Sequence, residues 1–254
     1  MATALVTGGT SGIGAEFARQ LAVRGWDLVL VARDVARLGA TADALRGEGV
    51  DVELLPADLA DRAAVDTVAA RLEDRSRPVD LLVNNAGFGV HHDLTDPDVS
   101  VHDVAFDVMC RATLVLSGAA ARGMRERGRG HVLNVSSTAG YLTMGSYSTI
   151  KAWVTSYSQG LAVELRGTGV GVTALLPGWV RTEFHERAGI RSSSIPNALW
   201  LSSEHLVTAA LADMDAGKVI SMPTLRYKVL LGLLRHAPLS AVRRVSGAIR
   251  SSRS

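Results

Sequence analysis

Short apolar runs alternate along the chain with longer segments whose apolar residues recur every three to four positions, and the alternation persists through residue 220. The short runs predict strands near 2–7, 27–32, 51–56, 79–84, 130–136, 170–176 and 218–221. Their apolar character is nearly continuous, as in Leu28-Val-Leu-Val31 and Val172-Thr-Ala-Leu-Leu176, which fits strands covered on both faces. The longer segments predict helices over about 13–24, 35–47, 61–74, 98–127, 146–167 and 203–215. Asp34 reads as an N-cap for 35–47, with Gly25 and Gly49 as helix stops. Repeated strand–helix–strand units predict an α/β protein: a doubly wound, Rossmann-type three-layer sandwich with a mostly parallel seven-stranded sheet.

Two stretches break the pattern. Residues 178–200 mix Gly189, Ser192-Ser-Ser194 and Pro196 with Trp179, Phe184, Ile190, Leu199 and Trp200, and a partly apolar segment of this length is expected to be a lid over a site. Residues 226–254 form a basic tail, so the expected organisation is a dinucleotide-binding domain over 1–225, lid included, followed by that tail.

Composition narrows the setting. A chain of 254 residues, 47% hydrophobic and 20% charged, can bury a sizeable core. Met1 runs directly into Ala-Thr-Ala-Leu-Val-Thr7, with no basic segment followed by an apolar one, so a secretory signal is not expected. No uninterrupted apolar stretch approaches the ~18 residues of an ordinary spanning helix. The lone cysteine, Cys110, cannot form an internal disulfide, and a reducing, cytoplasmic setting is expected.

The net charge of +2 conceals an asymmetry, because residues 226–254 carry seven Lys/Arg and no Asp/Glu. No basic stripe interleaved with aromatics runs through the body, so nucleic acid is not an expected partner. In the tail, Leu230, Leu231, Leu234, Val242, Val245 and Ile249 recur at helical spacing with Arg243, Arg244 and Arg250 set apart. Such a helix packs on the body or a partner subunit, or lies on an anionic membrane surface; packing is the favoured reading.

The candidate chemistry begins after the first strand, at Thr7-Gly-Gly-Thr-Ser-Gly-Ile-Gly14. Glycines there allow close backbone approach to a pyrophosphate, and the helix that follows offers free N–H groups. The second strand ends Val31-Ala-Arg-Asp34. Ala32 replaces the carboxylate that would hold ribose hydroxyls, and Arg33 can accept a 2′-phosphate, which favours NADP(H) over NAD(H). Further along, Tyr147 and Lys151 are four residues apart and so share one helix face. A unit charge ~4 Å from the phenol is worth ~4 kcal/mol at an effective dielectric of ~20, enough to bring its titration towards neutrality. His91 and His92 lack further ligands at metal-site spacing, and no metal is expected.

Together these motifs resemble the short-chain dehydrogenase/reductase family over roughly residues 2–221. Thr7-Gly8-x-x-x-Gly12-x-Gly14, Asp58-Leu59, Asn84-Asn-Ala-Gly87, Asn134-Val-Ser-Ser137, Tyr147-x-x-x-Lys151 and Pro177-Gly-Trp-Val-Arg-Thr182 follow in the family's order. The resemblance implies Ser137, Tyr147 and Lys151 as catalytic residues: Tyr147 as general acid in reduction and base in oxidation, Lys151 lowering its pKa and holding the nicotinamide ribose, Ser137 bonding the substrate carbonyl. Ser136 is the rival for the serine role.

For the cofactor, the resemblance implies Gly8, Thr10, Ser11, Gly12, Ile13, Gly14, Arg33, Asp58, Leu59, Asn85, Ala86, Gly87, Tyr147, Lys151, Pro177, Gly178, Val180 and Thr182. The expected activity is hydride transfer between NADP(H) and a carbonyl or secondary alcohol of a moderately sized apolar substrate, in a homodimer or homotetramer. One departure stands out. Met109 occupies the place where the family commonly has an asparagine supporting a water path to the lysine, and Met has no amide for that task. The interval between Ser137 and Tyr147 is also shorter than in many relatives, which implies a more open pocket. The alternative reading is a nucleotide-binding protein with little turnover, in a sensing or membrane-peripheral role.

Overall fold

A computed structural model describes residues 1–90, 92–180 and 200–236, with positions 238, 240, 243, 244, 246 and 247. His91, Thr182, nearly all of the expected lid (181–199) and most of the distal tail lie outside the described residues.

Seven strands form one sheet: β1 (Thr3–Thr7), β2 (Asp27–Ala32), β3 (Val52–Pro56), β4 (Leu81–Asn84), β5 (Gly130–Val135), β6 (Val170–Leu175) and β9 (Ile220–Ser221). Their spatial order is β3-β2-β1-β4-β5-β6-β9, and each described pairing is parallel. A separate two-stranded ribbon pairs β7 (Trp179–Val180) with β8 (Trp200–Leu201). The order reverses between β1 and β4, which opens a crevice at the carboxyl ends of the strands where such sheets bind ligands.

Helices α1 (Gly12–Val23) and α2 (Val35–Arg46) lie on one face with α7 (Ser203–Asp215), around Phe17, Leu21, Leu38, Leu206 and Leu211. On the other face, α3 (Arg62–Glu73), α5 (Ala112–Arg127) and α6 (Gly145–Glu164) enclose Val65, Val68, Leu116, Met124 and Leu161. The expected punctuation is present: the Asp34 carboxylate accepts from Arg37 N at 3.0 Å, and Gly25 and Gly49 adopt φ of +78° and +84° after their helices.

The helix expected over 98–127 is α4 (Ser100–Phe106) running through a π-helical turn, Asp107–Arg111, into α5. The extra residue of a π turn re-aims the side chains that follow it, and Met109 and Cys110 sit in it. Taken as one helix, Ser100–Arg127 is long and apolar enough to cross a membrane. Its packing against β4, β5 and α3 makes it a core helix instead.

Polar groups in the middle of this core are paired. Asn84 and Asn134 face each other across β4 and β5, Asn84 Nδ2 donating to Asn134 Oδ1 at 2.9 Å and to Ser117 Oγ at 3.0 Å. Asn134 Nδ2 donates to Ser158 Oγ at 3.0 Å. The network ties α5 and α6 to the strands whose ends carry the candidate site, and its burial makes each bond expensive to orphan.

Candidate active site

The glycine loop is built to receive a phosphate. Gly8 and Gly12 take φ of +65° and +54°, a region that favours glycine. A Cβ on Gly14 would collide with the Gly8 carbonyl and the Asn85 amide, so helix and loop touch through backbone alone. Ser11 is the N-cap of α1 but makes no side-chain cap bond, and no acid occupies the first turn. The N–H groups of Gly12, Ile13 and Gly14 therefore point into the crevice without a carboxylate competing for them. Ile13 itself packs on the core.

Thr7 and Asn85 hold this loop against the turn after β4. Thr7 Oγ1 accepts from Asn85 N at 3.0 Å and Ala86 N at 3.1 Å, while Asn85 Nδ2 donates to Thr7 O at 3.0 Å and Gly8 O at 3.3 Å. At the β2 end, Arg33 is 76% exposed and faces Asp58 at 3.8 Å, too open a pair to hold the guanidinium firmly. Arg37, not singled out from sequence, reaches back to the Thr10 carbonyl at 3.5 Å. Two guanidinium groups thus border the β2 end of the crevice. Asp58 Oδ1 accepts from Ala60 N at 3.0 Å, and the Leu59 side chain is buried in the core, which leaves only its backbone for a ligand.

At the carboxyl end of β5 the three candidate catalytic groups converge. The Ser137 hydroxyl lies where it acts on the Tyr147 phenol, and the Lys151 ammonium lies 5.7 Å from the centroid of the Tyr147 ring. Lys151 Nζ donates to Val135 O at 2.9 Å. Ser136 turns the other way: it is buried, donates to Lys151 O at 2.7 Å and lies 2.7 Å from Thr155 Oγ1. It braces α6 on β5, and Ser137 alone of the pair faces Tyr147.

The electrostatics correct one expectation. The spacing of Tyr147 and Lys151 predicts a phenol titrating near neutrality; instead, burial pushes the phenol up to about 12, with the Ser137 hydrogen bond pulling the other way. Burial also brings Lys151 down to about 8, opposed by the nearby Cys110 thiol, and lifts Cys110 to about 11. Desolvation of both groups outweighs an ammonium that sits against the ring rather than the hydroxyl.

Met109 is 1% exposed in an apolar cluster with Val90, Ala105, Cys110 and Ile150, against which Phe88, Tyr147 and Trp153 pack. A Cβ on Gly87 would come within 3.0 Å of Met109 Sδ and 3.7 Å of Lys151 Nζ. Gly87 thus separates the thioether from the ammonium, and the Met109 carbonyl already accepts from Thr113 Oγ1 at 2.9 Å. Met109→Asn should therefore lower stability by about 1–3 kcal/mol, the cost of a buried amide without partners. Thermal unfolding checks this, and an unchanged or raised Tm would mean that polar partners are available there.

The short segment after Ser137 forms a 3-10 turn, Thr138–Tyr141. Thr138 N donates to Pro177 O at 2.9 Å, which joins it to the turn Pro177, Gly178. Val180 is buried and pairs in β7. A positioning contact invisible in the sequence pattern lies at the start of α6, where buried Ser146 and His102 are joined by a 2.7 Å hydrogen bond between Oγ and Nδ1. It fixes the turn that carries Tyr147.

Comparison with known proteins agrees with this geometry. The short chain dehydrogenase family profile matches residues 2–191. A predicted ketoacyl reductase of the monensin polyketide synthase from Streptomyces virginiae is 40% identical over 196 residues, 72% of each chain. A short-chain dehydrogenase from Sphingobium yanoikuyae, solved in complex with NADPH, superposes with a TM-score of 0.84 at 36% identity, covering 94% of this chain and 97% of that one. The bulky-bulky ketone specific alcohol dehydrogenase of Comamonas testosteroni superposes with a TM-score of 0.80 at 31% identity, covering 94% and 95%. The chain belongs to the short-chain dehydrogenase/reductase family and is an oxidoreductase of that family.

Proposed function

We propose that the protein is an NADP(H)-dependent carbonyl reductase that transfers a hydride to an apolar ketone of moderate size. The observation that carries this is the convergence of Ser137, Tyr147 and Lys151 beside a glycine loop with open helix N–H groups. The cofactor, when bound, supplies the hydride. Ser137 hydrogen-bonds the substrate oxygen and stabilises the charge that develops on it. Tyr147 gives its proton to that oxygen, and in the reverse direction takes it back. Lys151 holds a positive charge against the phenolate that Tyr147 becomes.

The preference for NADP(H) rests on Arg33 and Arg37 at the adenosine end and on Ala32 in place of a carboxylate. It is in keeping with the NADPH complex of the Sphingobium relative. The apolar substrate rests on the cluster of Val90, Met109 and Ile150, against which both Phe88 and Tyr147 pack, and on the ketone named for the Comamonas relative. A homo-oligomer is supported by Phe106 and Leu114, 45% and 48% exposed on α4 and α5.

Absorbance at 340 nm with NADPH or NADH and a panel of aliphatic, aryl and β-keto ketones tests the reading. NADPH oxidation with at least one apolar ketone is expected; cofactor binding without oxidation across the panel would favour the low-turnover alternative. Replacing Ala32 by Asp and Arg33 by Ala should shift the kcat/KM ratio towards NADH by about 100-fold, as expected when a phosphate's cation is exchanged for a ribose-binding carboxylate. An unchanged ratio would remove Arg33 from the 2′-phosphate site.

A further inference from the structure

The basic tail begins in the helix α8 (Leu225–His236), and its first turn reaches the candidate site. Tyr227 is 6% exposed. Its ring lies against Gly178, so closely that a Cβ at that position would collide with the ring. Its hydroxyl oxygen accepts from the Trp179 backbone N–H at 3.0 Å. One side chain therefore holds the turn that follows Pro177 in two ways, by stacking on the residue that has no side chain and by satisfying the next amide. The Thr138 N to Pro177 O bond also ties this turn to the site.

Two further contacts place the tail on the same wall. Helix α8 packs against the 3-10 turn Thr138–Tyr141, directly after Ser137, with Leu231 2% exposed. Beyond it, buried Ser246 accepts from Thr143 N at 3.0 Å, four residues before Tyr147. The tail thus touches both segments that flank the Ser137–Tyr147 pair.

We propose that helix α8 borders the active site through Tyr227, a positioning residue that holds the Gly178–Trp179 turn in its cofactor- and substrate-facing geometry. Tyr227 touches no reacting atom; it acts through the turn. An appendage free to leave for a membrane would have to give up a buried tyrosine and its hydrogen bond to Trp179 N to do so. The proposal rests on the hydride-transfer reading for its kinetic arm only.

The test uses the full chain, with Tm, Kd for NADPH and NADH by fluorescence titration, and steady-state kinetics. Tyr227→Phe keeps the ring on Gly178 and removes the hydroxyl that accepts from Trp179 N; at unchanged fold it should lower kcat/KM, or raise the cofactor Kd, by about tenfold. Tyr227→Ala, which also removes the ring, should cost about 100-fold. Gly178→Ala should be as damaging as Tyr227→Ala in the parent yet add less than about threefold in the Tyr227→Ala background, since the colliding ring is gone. A purely structural role would lower Tm without this coupling in Kd or kcat/KM. Kd and kcat/KM within twofold of the parent in both Tyr227 variants, or an equal cost of Gly178→Ala in both backgrounds, would overturn the proposal. Should the Ala variant not fold, the Phe variant decides by the same twofold limit. If the unaltered chain binds cofactor but reduces no ketone, the hydride-transfer reading fails while the Kd comparison still judges Tyr227.

Discussion

Tyr147→Phe is expected to lower ketone reduction by about 10³-fold, within the usual range for losing a general acid, while leaving the fold in place. The ring packs against the apolar cluster around Met109 and Ile150, and Phe keeps that packing. What disappears is the hydroxyl on which Ser137 acts. Because burial holds the phenol at about 12, it is fully protonated throughout the working range and suits the reductive direction. In oxidation the same value is a disadvantage, since a base must first lose its proton. The two directions should therefore respond differently to pH, oxidation rising with pH well beyond the point where reduction has begun to fall. A loss under about tenfold in Tyr147→Phe would remove the phenol from the chemistry.

Lys151→Met should cost about 100-fold in kcat/KM and yet raise stability. The activity estimate follows from Coulomb's law: an ammonium ~5 Å from a developing phenolate, at an effective dielectric of ~20, contributes about 3 kcal/mol. The stability gain comes from the same burial that depresses the lysine to about 8 from an ordinary value of 10.5. The unfolded chain binds the proton more tightly than the folded one, so this group opposes folding. The penalty is fully present below pH 8, shrinks between 8 and 10.5, and is absent above. At pH 7 it amounts to at most about 3 kcal/mol, less about 1 kcal/mol for the lost bond to Val135 O.

Met carries no charge into that pocket, and a rise in Tm of about 5 °C at pH 7 is expected, narrowing as the pH is raised through 8 to 10.5. In the unaltered enzyme, kcat/KM for reduction should fall as pH rises through about 8, when the lysine discharges. A profile flat to pH 10 would contradict the role given to Lys151.

Most of the architecture was legible because its signals are local. Nearly continuous apolar runs of four to six residues identify strands covered on both faces, and Asp34, Gly25 and Gly49 mark helix ends to within three residues. The motifs around Gly14, Asn85 and Ser137 could be placed at strand ends, and Tyr147 on a helix, for the same reason. What the sequence concealed depends on contacts between distant segments. The π turn at Met109 is a difference of one residue in hydrogen-bond register, which periodicity does not resolve. Arg37 lies one helical turn beyond Arg33 and becomes relevant only because α2 places its guanidinium beside Thr10.

The same limit explains the error on the phenol. Helical spacing places Tyr147 and Lys151 on one face but says nothing of how deeply both are buried, and desolvation decides the sign. Tyr227 reads in sequence as one residue of a basic amphipathic tail. Its meeting with Gly178, 49 positions earlier, belongs to the tertiary fold. Gly178 was readable as part of a motif; the ring that requires it to be glycine was not.

The central claim is that this site moves a hydride between a nicotinamide and a carbonyl carbon, with Tyr147 supplying the proton. Its most direct test is isotopic: NADPH deuterated on the transferring face at C4, incubated with an apolar ketone from the panel, followed by mass spectrometry of the product. The account predicts one deuterium on the new carbinol carbon, at a rate reduced about 10³-fold in Tyr147→Phe. An alcohol product without deuterium, or no product from any ketone despite bound NADPH, would contradict it.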